Sequence, residues 1–229
     1  MADPVPTHAA KQRVYEQFSR VSKALAAPAR LELLDFLLQG ERPVDALARA
    51  TGLSIANASQ HLQVLAGARL VDSRREGTRI FYRIADDSVE QLWLALRRTV
   101  EARLPELDAV VRDYMVGRDD FEPIDRSELV RRLKAGTVTL IDVRPVEEYE
   151  AAHIPGAVSV PLDQIAAFAK TAAKRRTIVA YCRGPYCVLS LQAVSALRKR
   201  GLTVMRSEDG VTEWRAAGLP LEHAERAAP

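Results

Sequence analysis

The sequence predicts two domains: a mainly α domain built on a helix-turn-helix with a β-hairpin wing, then an α/β domain with a mostly parallel sheet. Three observations predict it. The chain has 229 residues, 48% hydrophobic and 28% charged, which suits one large or two ordinary domains with real cores. Apolar residues recur at helical spacing through most of the first half, interrupted by one alternating hairpin. In the second half short apolar runs alternate with helical patterns, the order of a parallel sheet covered on both faces. The expected bounds are a disordered tail over 1–10, the helical domain over 11–116, a linker over 117–122 and the α/β domain over 123–225.

Val14, Phe18, Val21 and Leu25 place a helix over 11–26. Pro28 starts a second, carried by Leu31, Leu34, Leu37 and Leu38 and stopped at Gly40. Pro43 opens a third over 44–51, ended by Gly52. Ser54 caps a fourth over 55–66, on which Ala58, Leu62 and Leu65 share one face. Asn57, Ser59, Gln60, His61 and Gln63 lie largely on the others. Two helices across a glycine-containing turn, the second with a short polar face, make a helix-turn-helix pattern. Residues 70–75 and 79–84 then flank the turn Glu76-Gly77-Thr78 as a hairpin. Ile80, Tyr82 and Ile84 alternate with Arg79, Phe81 and Arg83, so one face packs and the other carries arginine.

Net charge is only +3, which alone predicts little. Arginines 69, 74, 75, 79 and 83, however, stand against only Asp72 and Glu76 in the hairpin stretch. That local charge can grip phosphates while the fourth helix reads base edges. The expected partner is double-stranded operator DNA, met by Ser54, Asn57, Ser59, Gln60, His61, Gln63, Arg74, Arg75, Arg79 and Arg83. From Ser88 a long helical stretch follows through Leu92, Leu96, Val100, Leu104, Leu107, Val111, Tyr114 and Met115, restarted at Pro105. Its apolar stripe either seams a homodimer or packs on the helix of 11–26, or does both.

In the second half, Ser127 is expected to cap a helix reaching Leu133. Strands follow over 138–143, 157–160, 177–181 and 203–207, with helices over 146–151, 163–173, 188–200 and 211–217. Both cysteines fall in Tyr181-Cys182-Arg183-Gly184-Pro185-Tyr186-Cys187-Val188, a strand-to-helix turn at the carboxyl end of the sheet. Its N–H groups can form a nest beside the positive end of the next helix. This favours a thiolate at Cys182 and an anion held by the loop Arg183, Gly184, Pro185, Tyr186, Cys187 and Val188. Arg183 is the candidate for holding that anion. Cys182 reads either as a nucleophile or as a buried structural cysteine. Cys187 either resolves a persulfide or sulfenic acid on Cys182 or is a small apolar cap of the helix. Asp142 is expected to make a structural hydrogen bond or ion pair, His153 to fix the turn before Pro155, and Trp214 to be core.

Two cysteines are too few for a disulfide-built secreted scaffold. The first residues lack a signal-peptide apolar core, and no apolar run approaches the roughly 18 residues of a membrane span. The expected compartment is the cytoplasm, with no membrane partner.

Ala24-Leu25-Ala26-Ala27-Pro28-Ala29-Arg30-Leu31, Ser59-Gln60-His61-Leu62-Gln63-Val64-Leu65 and the arginine hairpin resemble the ArsR/SmtB family of winged-helix repressors, over about residues 14–100. The resemblance implies a homodimer that binds DNA, joined through the first and last helices of the domain, and in many members released by a metal. The segment Arg42-Pro43-Val44-Asp45-Ala46-Leu47 holds no cysteine, and residues 87–103 hold no histidine. Only His8 and His61 remain, so no metal site of the known types is expected.

Asp142-Val143-Arg144, Ala152-His153-Ile154-Pro155-Gly156-Ala157, the cysteine loop, and Gly210-Val211-Thr212-Glu213-Trp214 through Gly218-Leu219-Pro220 resemble the rhodanese family of sulfurtransferases, over about residues 123–223. The resemblance implies that Cys182 carries a persulfide. Cys187 departs from it, because a basic or hydroxyl residue often stands there; a second thiol favours a sensor over a housekeeping enzyme. The joint expectation is a transcriptional repressor that senses or transfers sulfane sulfur through Cys182. Its donor would be thiosulfate, a polysulfide or a low-molecular-weight persulfide, and no cofactor is expected. Beside it stand a sulfurtransferase tethered to a DNA-binding domain and an oxyanion- or arsenic-responsive regulator.

Overall fold

The computed structural model describes residues 8–115, 123–173 and 175–223. Its contacts divide the chain into two compact units, Met1–Leu92 and Trp93–Pro229. The expected linker and most of the expected tail lie outside the described residues.

In the first unit α1 (His8–Leu25) starts at His8 rather than at Lys11. Next come α2 (Pro28–Leu37), with proline in its first turn, and a two-residue strand β1 (Arg42–Pro43). Helix α3 (Val44–Thr51) stops at Gly52, whose φ of 67° is the left-handed conformation that glycine adopts without Cβ strain. Ser54 then caps α4 (Ile55–Gly67), its hydroxyl accepting the Asn57 N–H at 3.2 Å. The hairpin β2 (Val71–Glu76) and β3 (Arg79–Ile84) joins β1 in an antiparallel sheet of order β1-β3-β2. Strand β1 is too short to show an alternation, and Pro43 sits on a sheet edge where its missing N–H does no harm. Leu33, Leu47, Ala58, Leu62 and Leu65 are fully buried in the core. Tyr82 joins them, but Ile80, nearer the hairpin tip, is 41% exposed, so only the base of the wing packs.

Helix α5 (Asp87–Arg103) begins in the first unit, where Val89 joins the core, and ends in the second. Pro105 separates it from α6 (Glu106–Tyr114), as expected. The second unit continues with β4 (Pro123–Ile124), α7 (Arg126–Lys134), β5 (Val138–Asp142), α8 (Val146–Ala151) and β6 (Val158–Ser159). After a 3₁₀ turn at Leu162–Gln164 come α9 (Ile165–Thr171), β7 (Thr177–Tyr181), α10 (Val188–Arg198), β8 (Val204–Ser207) and α11 (Val211–Ala216). One expectation fails locally. Asp125, not Ser127, caps α7: its carboxylate accepts the Glu128 N–H at 2.9 Å and the Ser127 hydroxyl at 2.6 Å. The helix starts at Arg126, which puts Ser127 inside it.

The second sheet has the order β4-β8-β7-β5-β6, and every pair is parallel. Strand β7 is buried on both faces, which is why its sequence is a continuous apolar run. Ile178 and Ala180 meet Val194 and Leu197 of α10; Val179 and Tyr181 meet Leu129, Val211 and Trp214 on the other side. From β5 the chain steps outward to β6, and from β7 it steps the other way to β8. The carboxyl ends of β5 and β7 therefore flank a topological switch point, where sheets of this kind leave a crevice. Asp142 ends one strand and Cys182 follows the other.

Candidate functional site

Two regions carry chemistry. The first is the open face of α4 with the wing. Ala58, Leu62 and Leu65 anchor α4 in the core, which leaves Asn57, Gln60 and Gln63 exposed on its outer face. Ser59 and His61 are half-buried at the edge of that face, and Ser54 is exposed at its capped start. The wing arginines divide. Arg74 is held by Glu41 at 2.6 Å and Glu76 at 2.5 Å and lies over the Phe81 ring. Arg83 pairs with Asp72 at 3.2 Å. Arg75 reaches only the Gly77 carbonyl at 3.1 Å, and Arg79 forms no ion pair among the described residues. The register puts Arg75 opposite Ile80, on the packing face, at the tip where that face is open to solvent. Glu41, far away in sequence, gave no sign that it would neutralise Arg74.

The second region is the loop after β7. Cys182 is buried, 2% exposed. Its Sγ lies 3.3 Å from Ser190 Oγ and 3.5 Å from the Cys187 carbonyl. Ser190 Oγ also accepts from Arg206 Nε at 2.9 Å, and Arg206 Nη2 donates to the Pro185 carbonyl at 2.7 Å. A buried guanidinium thus lies under the loop, one hydroxyl away from the Cys182 sulfur. Gly184 has φ 153°, and a Cβ there would lie 3.2 Å from the Glu213 carboxylate. At Gly210 a Cβ would collide with the Cys182 carbonyl oxygen, so α11 can start this close to the loop only from a glycine. The Glu213 carboxylate closes the gap, accepting the Gly210 N–H at 2.7 Å.

The pKa pattern corrects the expectation of a Cys182 thiolate. Burial, and then the neighbouring Cys187 sulfur, push the Cys182 thiol up. The Cys187 thiol is brought down to about 6, first by the hydrogen bond from Cys182, then by the Arg183 N–H, the Arg183 charge and the Leu189 N–H. The nest of backbone donors therefore addresses Cys187 more than Cys182. The loop thus makes the half-buried Cys187 the more acidic of two neighbouring thiols.

Arg183 is also corrected. It does not face an open anion site, because its guanidinium makes a bidentate pair with buried Glu148, at 2.6 Å in the closest contact. Asp142 is structural as expected, binding the Arg144 N–H and guanidinium inside the protein, where both side chains are fully buried. His153 stacks on Tyr149 with ring centroids 3.8 Å apart, its Nδ1 2.8 Å from the Tyr149 carbonyl. Trp214 is core, its indole N–H donating to Pro220. Of the remaining loop residues, Pro185 and Val188 shape the turn, and Tyr186 donates its hydroxyl to Glu101 at 2.7 Å. Sequence reasoning missed Glu148, Ser190, Arg206 and Glu213, each of which acts only because the fold brings distant segments together. Gly210 through Glu213 was visible as a motif, but its contact with the loop was not.

Comparison with known proteins gives two family matches. Residues 27–73 match the model of "Bacterial regulatory protein, arsR family", and residues 125–217 match the "Rhodanese-like domain". The HTH-type transcriptional regulator Rv0324 of Mycobacterium tuberculosis is 46% identical over 212 residues, covering 93% of this chain and 93% of its own length. The biofilm growth-associated repressor of Agrobacterium fabrum is 41% identical over 92 residues, 40% of this chain and 78% of its own. Among solved structures, the homodimeric winged helix-turn-helix DNA-binding domain (fragment 1–100) of Mb0332 from Mycobacterium bovis has 42% identity. It covers 46% of this chain and 95% of its own, with a TM-score of 0.42. No helix among the described residues is long and apolar enough to cross a membrane.

Proposed function

The chain belongs to the arsR family of DNA-binding transcriptional regulators and carries a C-terminal rhodanese-like domain, and we propose that it is a homodimeric cytoplasmic repressor whose operator affinity responds to sulfane sulfur at Cys182. The observation that carries this reading is the dithiol. Both cysteines of the chain lie in one loop, and one is held as the more acidic thiol beside the other. As a persulfide donor R–S–SH approaches, the Cys187 thiolate takes the Cys182 proton and the Cys182 sulfur attacks the outer sulfur of the donor. The donor S–S bond breaks, a Cys182–S–SH persulfide forms and R–SH leaves. Cys187 can then attack Cys182 Sγ, closing a disulfide and releasing hydrosulfide. Because Arg183 is already committed to Glu148, a singly charged donor, an organic persulfide or a hydrogen polysulfide, suits the loop better than the dianion thiosulfate.

On the DNA side, Asn57, Gln60 and Gln63 would read base edges while Arg75 and Arg79 hold phosphates. Exposed Val14, Tyr15 and Phe18 on α1 and Leu92 on α5 support a homodimer seam. The test is operator binding by the reduced protein, by the protein treated with a polysulfide, and by treated Cys182→Ser, with added sulfur counted by mass spectrometry. The expected outcome is a 5- to 150-fold change in affinity, about 1–3 kcal/mol, in the parent alone. An equal change in Cys182→Ser would overturn the reading. Steady turnover with a thiol acceptor and no change in affinity would leave a sulfurtransferase instead.

A further inference from the structure

We propose that Arg97 and Glu101 of α5 latch the cysteine loop, and that sulfur loading at the loop is transmitted to the DNA-binding half by release of this latch. The inference rests on the sulfur-responsive reading above and names the regulation of that site.

Three contacts within the second unit define the latch. Arg97 Nη1 donates to Glu213 Oε1 at 2.5 Å, and Glu213 is buried. The other Glu213 oxygen takes the Gly210 N–H, and the carboxylate lies against Gly184 of the loop. Arg97 thus holds a buried carboxylate that bonds the start of α11 and packs against the loop at Gly184. Next, Tyr186 Oη donates to Glu101 Oε1 at 2.7 Å, and Arg97 Nε lies 3.6 Å from the same oxygen. Finally Leu107, Val111 and Met115, around α6, pack on Tyr186, Val188 and Leu191.

The loop has no slack around Cys182. Its Sγ is enclosed by Ser190 and by the carbonyls of Gly184 and Cys187, and the residue is 2% exposed. An added sulfur needs about 2 Å of bond length inside that enclosure, and a Cys182–Cys187 disulfide draws the two sulfurs to a similar distance. Either change moves Cys187, and Tyr186 is its chain neighbour. The Tyr186–Glu101 bond and the packing on α6 are therefore the first to give way. Helix α5 is continuous from Val89, in the core of the first unit, to Arg103. A change of grip at Arg97 and Glu101 is thus felt along a stiff element that the DNA-binding half also uses.

The probe is sodium tetrasulfide, which passes one sulfur to Cys182 and leaves as the trisulfide. Full-length parent, Tyr186→Phe, Glu101→Gln and Arg97→Gln are each measured for operator affinity with and without it, and for added mass. All four are expected to show the same mass change, that of one added sulfur or, where Cys187 closes the disulfide, of two hydrogens lost. The response in affinity should shrink several-fold in Tyr186→Phe and Glu101→Gln and roughly tenfold in Arg97→Gln, where an ionic hydrogen bond is removed. Their unloaded affinity should move toward that of the loaded parent. Tyr186→Phe removes one oxygen from a half-buried side chain, so it carries the test if Arg97→Gln fails to fold. A parent that responds while Tyr186→Phe responds equally overturns the latch and leaves the sulfur-responsive reading standing. A parent that gains sulfur without response overturns both.

Discussion

The polar face of α4 and the cysteine loop differ in where their side chains work. Asn57, Gln60 and Gln63 stand in solvent, and what each can do follows from its own donors and acceptors. Cys182, Arg183 and Asp142 work inside the protein, and what each does is set by its neighbours. The same contrast divides the arginines of the wing. Arg75 and Arg79 form no ion pair among the described residues, whereas Arg74 and Arg83 are answered by carboxylates. An exposed group offers its intrinsic chemistry; a buried one offers what its partners leave over.

This contrast can be broken or sharpened by experiment. The largest effect should come from Arg144→Met, which takes the guanidinium from the fully buried Asp142 carboxyl and leaves it the residue-144 N–H. We expect a loss of about 3–5 kcal/mol in stability by denaturant unfolding, with the pair's removal as Asp142→Asn/Arg144→Met costing less than Arg144→Met alone. By contrast, Arg75→Ala should leave stability within about 0.5 kcal/mol of the parent. An equally small effect at Arg144 would mean that the closed region does not depend on its neighbours.

A pH profile of alkylation separates the two thiols. The Cys187 thiol sits below its ordinary value of 9.0, at about 6, so its reaction with iodoacetamide should rise as pH increases through about 6 and level off above 7. An unperturbed cysteine would keep rising through about pH 8–9. At pH 7 Cys187 should react roughly threefold faster than an ordinary thiol, the larger thiolate fraction being mostly offset by its lower intrinsic nucleophilicity. Peptide mapping that found Cys182 modified first at pH 6–7 would reverse the assignment.

The smallest effect concerns salt. Arg75→Ala and Arg79→Ala should each lower the salt slope of operator binding by about 0.9, the value for one phosphate contact. Arg74→Ala and Arg83→Ala should lower it less, since each of those side chains must first leave a carboxylate. Equal slopes in all four variants would show that the ion pairs of the wing open on DNA.

Most of the architecture was legible because its signals are local. Ala58, Leu62 and Leu65 fixed the buried face of α4 by spacing alone, Gly52 and Pro105 marked real helix ends, and the run 177–181 was a central strand. The loop was legible as a place but not as an environment. Arg183 lies next to Cys182 in sequence, yet Glu148, which neutralises it, comes from α8. Arg206, which supports Ser190 and the loop carbonyls, comes from β8. Two-residue strands such as β1 and β4 have no periodicity to read and exist only through their partners.

The sequence by itself therefore determined the two folds, the polar face of α4, and the position of both thiols at the carboxyl end of a parallel sheet. Periodicity, caps and turn residues act over a few positions, and a linear reading sees them. The tertiary structure decided which thiol is the more acidic, which arginines are committed to carboxylates, and which side chains of α5 meet Tyr186 and Glu213. These properties are differences between solvation given up and partners gained, and the partners come from segments far apart in the chain.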